Sequence, residues 1–158
     1  MKYFEGFVPN APLVEIDAAA ARSSGTYAEL VDEDVPRYRS FVGGTLHKIV
    51  YAPWDNPEVP LADFRKRNEG VRGEVVTKAN VDADGRVSWR TWYVTPAGEV
   101  ERSIEYLLDG EGRFLREDVR EPDGQLSRYR VYKYDKYGEL LEVVTHAPDG
   151  KVLNREHA

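Results

Sequence analysis

The stretch Pro122-Asp123-Gly124-Gln125-Leu126-Ser127-Arg128-Tyr129-Arg130-Val131-Tyr132-Lys133-Tyr134-Asp135-Lys136-Tyr137-Gly138-Glu139-Leu140 decides the fold. A turn cluster ends in glycine, a strand-length run follows, and a second turn cluster ends in glycine again. The same unit recurs on both sides, with glycines at 85, 98, 112, 124, 138 and 150, a nearly even interval of one strand plus one turn. Each follows a turn-forming group: Asp82-Ala83-Asp84, Pro96-Ala97, Asp109-Gly110-Glu111, Pro122-Asp123, Asp135-Lys136-Tyr137 and Pro148-Asp149. Two positions after each glycine stands an apolar residue, in order Val87, Val100, Phe114, Leu126, Leu140 and Val152.

Glycine tolerates the positive φ that closes a hairpin loop, and Asp or Pro before it favours the turn. The intervening residues are rich in Val, Tyr, Trp, Ile, Leu and Arg and suffice for one strand each. Strands joined by loops this short run antiparallel and pair with their neighbours. Proline and glycine recur before any helical periodicity can build. The expected fold is therefore mainly β: an antiparallel meander of six or more strands, a twisted or half-barrel sheet.

Within this pattern Tyr132-Lys133-Tyr134-Asp135-Lys136-Tyr137-Gly138-Glu139-Leu140 and Pro148-Asp149-Gly150 resemble the tyrosine–aspartate (YD, or Rhs-type) repeats of bacterial toxin shells. The match is confined to positions 132–150, and the neighbouring turns share its rhythm without the Tyr-Asp pair. The resemblance implies a toxin-associated setting. It does not imply encapsulation, because six strands are too few to enclose a toxin.

The first half is less regular. Tyr3–Val8 reads as an opening strand, and Asp17 as the N-cap of a short helix through Arg22. Tyr38–Val42 and Thr45–Ala52 flank Gly43-Gly44 as a hairpin. Pro53–Pro60 reads as a stiff loop with three prolines, and Leu61–Glu69 as a helix stopped by Gly70. Val71–Val81 reads as a long strand feeding the meander. One or two short helices thus belong to the N-terminal half, and one domain of residues 1–158 is expected, with an irregular α+β part over 1–81 and the meander over 82–158.

A chain of 158 residues buries roughly 70% of the surface its unfolded form exposes. No apolar run approaches the ~20 residues needed to cross a bilayer. The opening Met1-Lys2-Tyr3-Phe4-Glu5 meets an acid before any apolar stretch, so a cytoplasmic protein without a leader is expected. Cysteine is absent, which removes disulfides, thiolate metal sites and a cysteine nucleophile. Net charge is −6, with both halves mildly acidic and no basic block. Nucleic acid is therefore an unexpected partner, and a basic protein surface an expected one.

Candidate contact residues fall in three groups. Alternate positions of the meander place Arg102, Tyr106, Arg116, Arg128 and Tyr132 on one amphipathic face, and arginine and tyrosine are enriched where proteins bind partners. Its alternative is a solvent face whose arginines pair with Glu101, Glu105, Glu117 and Asp118 or with cross-strand acids. Trp54, beside Asp55, reads either as an anchor on the proline-stiffened loop or as a plug over the core. Glu29, Asp32, Glu33 and Asp34 form the densest acidic patch, either a docking surface for a basic cleft or a solvated loop.

No metal-ligand spacing surrounds His47, His146 or His157, and no nucleophile elbow or phosphate loop occurs. No cofactor is expected; a serine triad assembled from distant residues stays open. The leading expectation is a non-enzymatic protein-binding module, an immunity protein or antitoxin that blocks a bacterial toxin, with homodimers through an edge strand a further option. The alternative is a small-ligand binder or enzyme with a pocket lined by Trp89, Trp92, Tyr93 and Tyr106.

Overall fold

The computed structural model describes residues 1–9, 12–32 and 34–158. Half of the chain (50%) is strand and 11% helix, so the mainly β expectation holds. Hydrogen bonding orders the described strands from the C-terminal meander back to the N-terminal strands, and all registered pairs but one are antiparallel. The residues group into two compact units, 1–78 with 91–101, and 79–90 with 102–158.

The first unit contains β1 (Lys2–Phe4), β2 (Glu15–Ile16), α1 (Ala18–Ser24), β3 (Tyr27–Asp32), β4 (Arg37–Val42), β5 (Thr45–Tyr51), α2 (Glu58–Arg67) and β6 (Arg72–Val76). Asp17 caps α1 as expected, its Oδ1 accepting from the Ala20 N–H at 2.7 Å. Gly43-Gly44 turns β4 into β5. β5 and β6 are the parallel pair, joined by α2, since parallel neighbours need a crossover. The core is Ile49, Tyr51, Leu61, Phe64, Val75 and Val94, side chains worth roughly 1.5–3 kcal/mol each on full burial.

Three elements differ from expectation. α2 starts at Glu58 because prolines fit a first helical turn: Pro57 is its N-cap and Pro60 lies within that turn. It ends before Gly70, at Asn68, which takes the left-handed conformation itself with φ 45°. The opening strand stops at Phe4, and the long strand expected over Val71–Val81 is split into β6 and β7 (Asn80–Val81). Gly6 weakens the first strand and Pro9 has no N–H to extend its ladder; alternation in the second hid a break at Thr77–Ala79.

The second unit is the expected meander. Turns join β7, β8 (Val87–Val94), β9 (Val100–Leu108), β10 (Phe114–Arg120), β11 (Leu126–Tyr134), β12 (Leu140–His146) and β13 (Val152–His157). β8 and β9 each contribute residues to both units. All six repeat glycines have φ between 78° and 94°. Their hydrogen bonds are alike: the glycine N–H donates to the carbonyl three residues back, whose own N–H donates to the carbonyl just after the glycine. This is a type I turn closed by a glycine bulge, a standard hairpin loop.

The turns come in two chemistries that alternate. Those at 82–85, 109–112 and 135–138 open with Asp, whose Oδ1 accepts two backbone N–H groups, such as those of Tyr137 and Glu139 at 2.8 and 2.9 Å. Those at 95–98, 121–124 and 147–150 carry Pro in second position. Antiparallel order puts the Asp turns of the meander at one end of its strands and the Pro turns at the other. The true repeat is thus a hairpin of two strands, and Gly98, Gly124 and Gly150 mark equivalent points at equal intervals along the chain. Among the described residues no helix belongs to this unit, so it is a single layer of strands.

Candidate protein-binding surface

A single layer has two side-chain faces, and register assigns each residue to one. Tyr106 lies opposite Glu117, Glu117 opposite Arg130, Val119 opposite Arg128 and Ile104, and Tyr132 opposite Val143. These residues share a face with Trp89, Phe114 and, by alternation along β9, Arg102. Rings gather toward the Asp-turn end and arginines toward the Pro-turn end.

The rings form a row across four strands. Trp89 stacks on Tyr106 at 5.0 Å between centroids, Tyr106 meets Phe114 at 6.0 Å, and Phe114 meets Tyr132 at 5.6 Å. Such offset and tilted pairs stabilise by about 0.5–1.5 kcal/mol beyond area burial. Trp89 is 8% exposed and Phe114 36%, so the row runs from a buried ring toward open ones. Glu117 organises the polar half: it accepts the Tyr132 hydroxyl at 2.7 Å and Arg130 Nη1 at 3.3 Å. Burial and that carboxylate both hold the Tyr132 phenol above its ordinary pKa. The Arg128 side chain is exposed and makes no ion pair or hydrogen bond among the described residues.

The sequence-predicted face is corrected at one residue. Register shifts between Phe114 and Arg116, so Phe114 pairs with Leu108 and Arg116 with Leu107, on opposite faces. Arg116 therefore belongs to the other face, where it lies 4.1 Å over the Tyr129 ring and bonds Asp118 at 2.7 Å. On that face Tyr129 stacks on His146, while Glu142 receives Lys133 and Arg155 at 3.2 and 3.1 Å. These two bases and their hydrogen bonds pull the Glu142 pKa down. The face also holds Glu105 between Arg90 and Arg120. Arg102, Tyr106, Arg128 and Tyr132 stay together, and Glu117, one of the acids expected to pair with the arginines, bonds Tyr132 and Arg130.

The remaining candidates lie in the first unit. Glu29 sits within β3, 7% exposed, and accepts Arg39 Nη1 at 2.9 Å. Asp32 ends β3; its Oδ1 accepts the N–H groups of Asp34 and Val35 at 2.9 and 3.2 Å, which lowers its pKa. Asp34 and Asp55 are exposed, and Glu33 lies outside the described residues. The acids therefore do not form one solvated patch: β3 turns Glu29 inward. Trp54 is half-buried against the core, its backbone N–H donating to the Val76 carbonyl at 3.0 Å, the plug arrangement rather than a projecting anchor.

The ring set expected to line a ligand pocket is divided, because Trp92 points opposite to Trp89 and packs against the first unit's core. A recess lined by Glu5, Gly6, Val8, Pro12 and Val14 contains one ionisable group. Among the described residues, no group of three or more His, Asp or Glu is arranged to hold a metal ion, and no helix is long and apolar enough to cross a membrane. No family model matches the chain, and no curated protein or solved structure matches it.

Proposed function

We propose that the chain is a non-enzymatic protein-binding module that engages its partner through the ring-and-arginine face of the meander. The observation that carries this reading is the row Trp89–Tyr106–Phe114–Tyr132 beside the exposed, unpaired Arg128, on a sheet face that no element of its own unit covers. Tyr, Trp and Arg are the side chains on which binding energy concentrates, and a rigid strand scaffold presents them at low entropic cost. The more specific form of the proposal is an immunity protein or antitoxin of the cytoplasm that covers the working surface of a bacterial toxin. It draws on the resemblance of residues 132–150 to toxin-associated repeats. Pairing of two copies along the exposed β13 is a subsidiary part of the proposal, read by sedimentation.

The test is affinity capture of partners from lysate of the source cells, with wild type and Tyr132→Ala side by side. A stoichiometric partner retained by wild type and released by Tyr132→Ala, with circular dichroism unchanged, supports the reading. A partner that ignores Tyr132, or the absence of any partner, defeats it.

A further inference from the structure

Within its strands the ring-bearing face carries more arginine than acid, against the charge of the whole chain. Net charge is −6, which by itself points to a basic partner. On this face, however, register places Arg102, Arg128 and Arg130 with only two acids, Glu117 and Glu156. Glu117 is engaged by Tyr132 and Arg130, and Glu156 stands 3.5 Å from Arg130. Glu121, Asp123 and Asp149 lie in the turns at the arginine end; Asp123 and Asp149 each keep an oxygen on a backbone N–H, of Gln125 and Lys151 respectively, and Glu121 is exposed. Arg128 is left as an exposed cation two positions from Arg130 and four from Tyr132. In the first unit two of the acids that suggested a basic partner are in use, Glu29 by Arg39 and Asp32 by the turn it closes, while Asp34 stays exposed.

We infer that the partner's contact patch is acidic: a carboxylate faces Arg128 while an adjacent apolar side chain lies on the Tyr106–Phe114–Tyr132 rings. This rests on the protein-binding reading above and adds the sign of the charge. A guanidinium takes a carboxylate with two parallel N–H donors, a geometry no lysine reproduces. The ring row lies on the same face beyond the Arg130–Glu117 pair and adds apolar contact area for the partner's neighbouring side chain. The same layout repels a basic peptide, so the face discriminates by charge as well as by shape.

The experiment is a nitrogen-15 amide titration of the full chain with three synthetic peptides: Trp-Glu-Glu-Glu-Glu, Trp-Lys-Lys-Lys-Lys and Trp-Ser-Ser-Ser-Ser. The acidic peptide should shift the amides of Arg128, Arg130 and Tyr132 and bind most tightly. Arg128→Glu should weaken it roughly tenfold, the loss expected for one charge-assisted contact, and Arg128→Lys by less. Equal or stronger binding of the lysine peptide overturns the inference, as do shifts confined to Arg116 and Tyr129 on the other face. The two proposals fail separately. A captured partner released by Tyr132→Ala but held by Arg128→Glu sinks the acidic patch and spares the binding module. A partner indifferent to both sinks the two together.

Discussion

Two glycines show how differently one residue type can matter. Gly124 has φ 89°, and nothing lies within 4 Å of where its Cβ would be. Gly124→Ala should therefore cost about 1–2 kcal/mol through backbone conformation alone, and Gly124→Asn less, because asparagine visits the left-handed region more readily. Gly73 has an ordinary φ, but a Cβ there would stand 2.7 Å from the Phe64 ring of α2. Gly73→Ala must displace that ring, and an overpacking loss of about 1–3 kcal/mol is expected. Urea unfolding of the three variants separates the mechanisms, since Phe64→Leu should relieve Gly73→Ala and leave Gly124→Ala unchanged. Gly124 was legible in the sequence because its role is local, a turn closed by its own neighbours. Gly73 was not, because the side chain it admits comes from another element.

At the scale of elements, paired carboxylates set how the structure responds to pH. Asp32 and Asp109 have pKa values lowered chiefly by backbone N–H donors, and Glu142 by Lys133 and then Arg155. A carboxylate whose folded pKa lies below its unfolded value stabilises the fold above about pH 4–5 and loses that contribution as pH falls through the folded value. Stability should thus decline on acidification below about pH 4, and Glu142→Gln should flatten part of that decline while loosening β13, which amide exchange of residues 152–157 would show. Tyr51 behaves with the opposite sign. Burial first, and then its 2.7 Å bond to Asp63, raise its pKa. Its neutral form stabilises the fold at ordinary pH, and that contribution is lost as pH rises beyond about 10. Tyr51→Phe should cost about 1–2 kcal/mol near neutrality and remove its share of the alkaline limb, measured by denaturant midpoints across pH. The Asp32 and Asp109 turns are local, but the Tyr51 contact could not be read from the chain, because β5 supplies Tyr51 and α2 supplies Asp63. For the same reason the acids at 29–34 looked like one surface patch until β3 turned Glu29 inward.

For the molecule as a whole, legibility follows the distance over which each decision is made. The meander repeats a local rule, so its strands and turns were readable; the bulge before Arg116 shifts the register of a strand without a Gly or Pro to announce it, and so a face assignment failed there. The same local rule makes a further prediction about construction. Residues 113–138 are one complete hairpin unit, bounded by Gly112 and Gly138, which close turns of the same Asp chemistry. Removing them joins Gly112 to Glu139, as Gly138 is joined now, so the Asp turn at 109–112 would lead into β12 with strand direction and face preserved. Because repeat arrays gain stability mainly from adjacent neighbours, the shortened chain should still fold, with less stability and a cooperative urea transition. Removing only 113–125 has the opposite consequence. It joins Gly112 to Leu126, so β11 would run in the direction of β10 and carry its tyrosines to the wrong end of the sheet. That chain should lose dispersed amide resonances and a cooperative transition. If both deletions behave alike, the hairpin is not the unit from which the sheet is built.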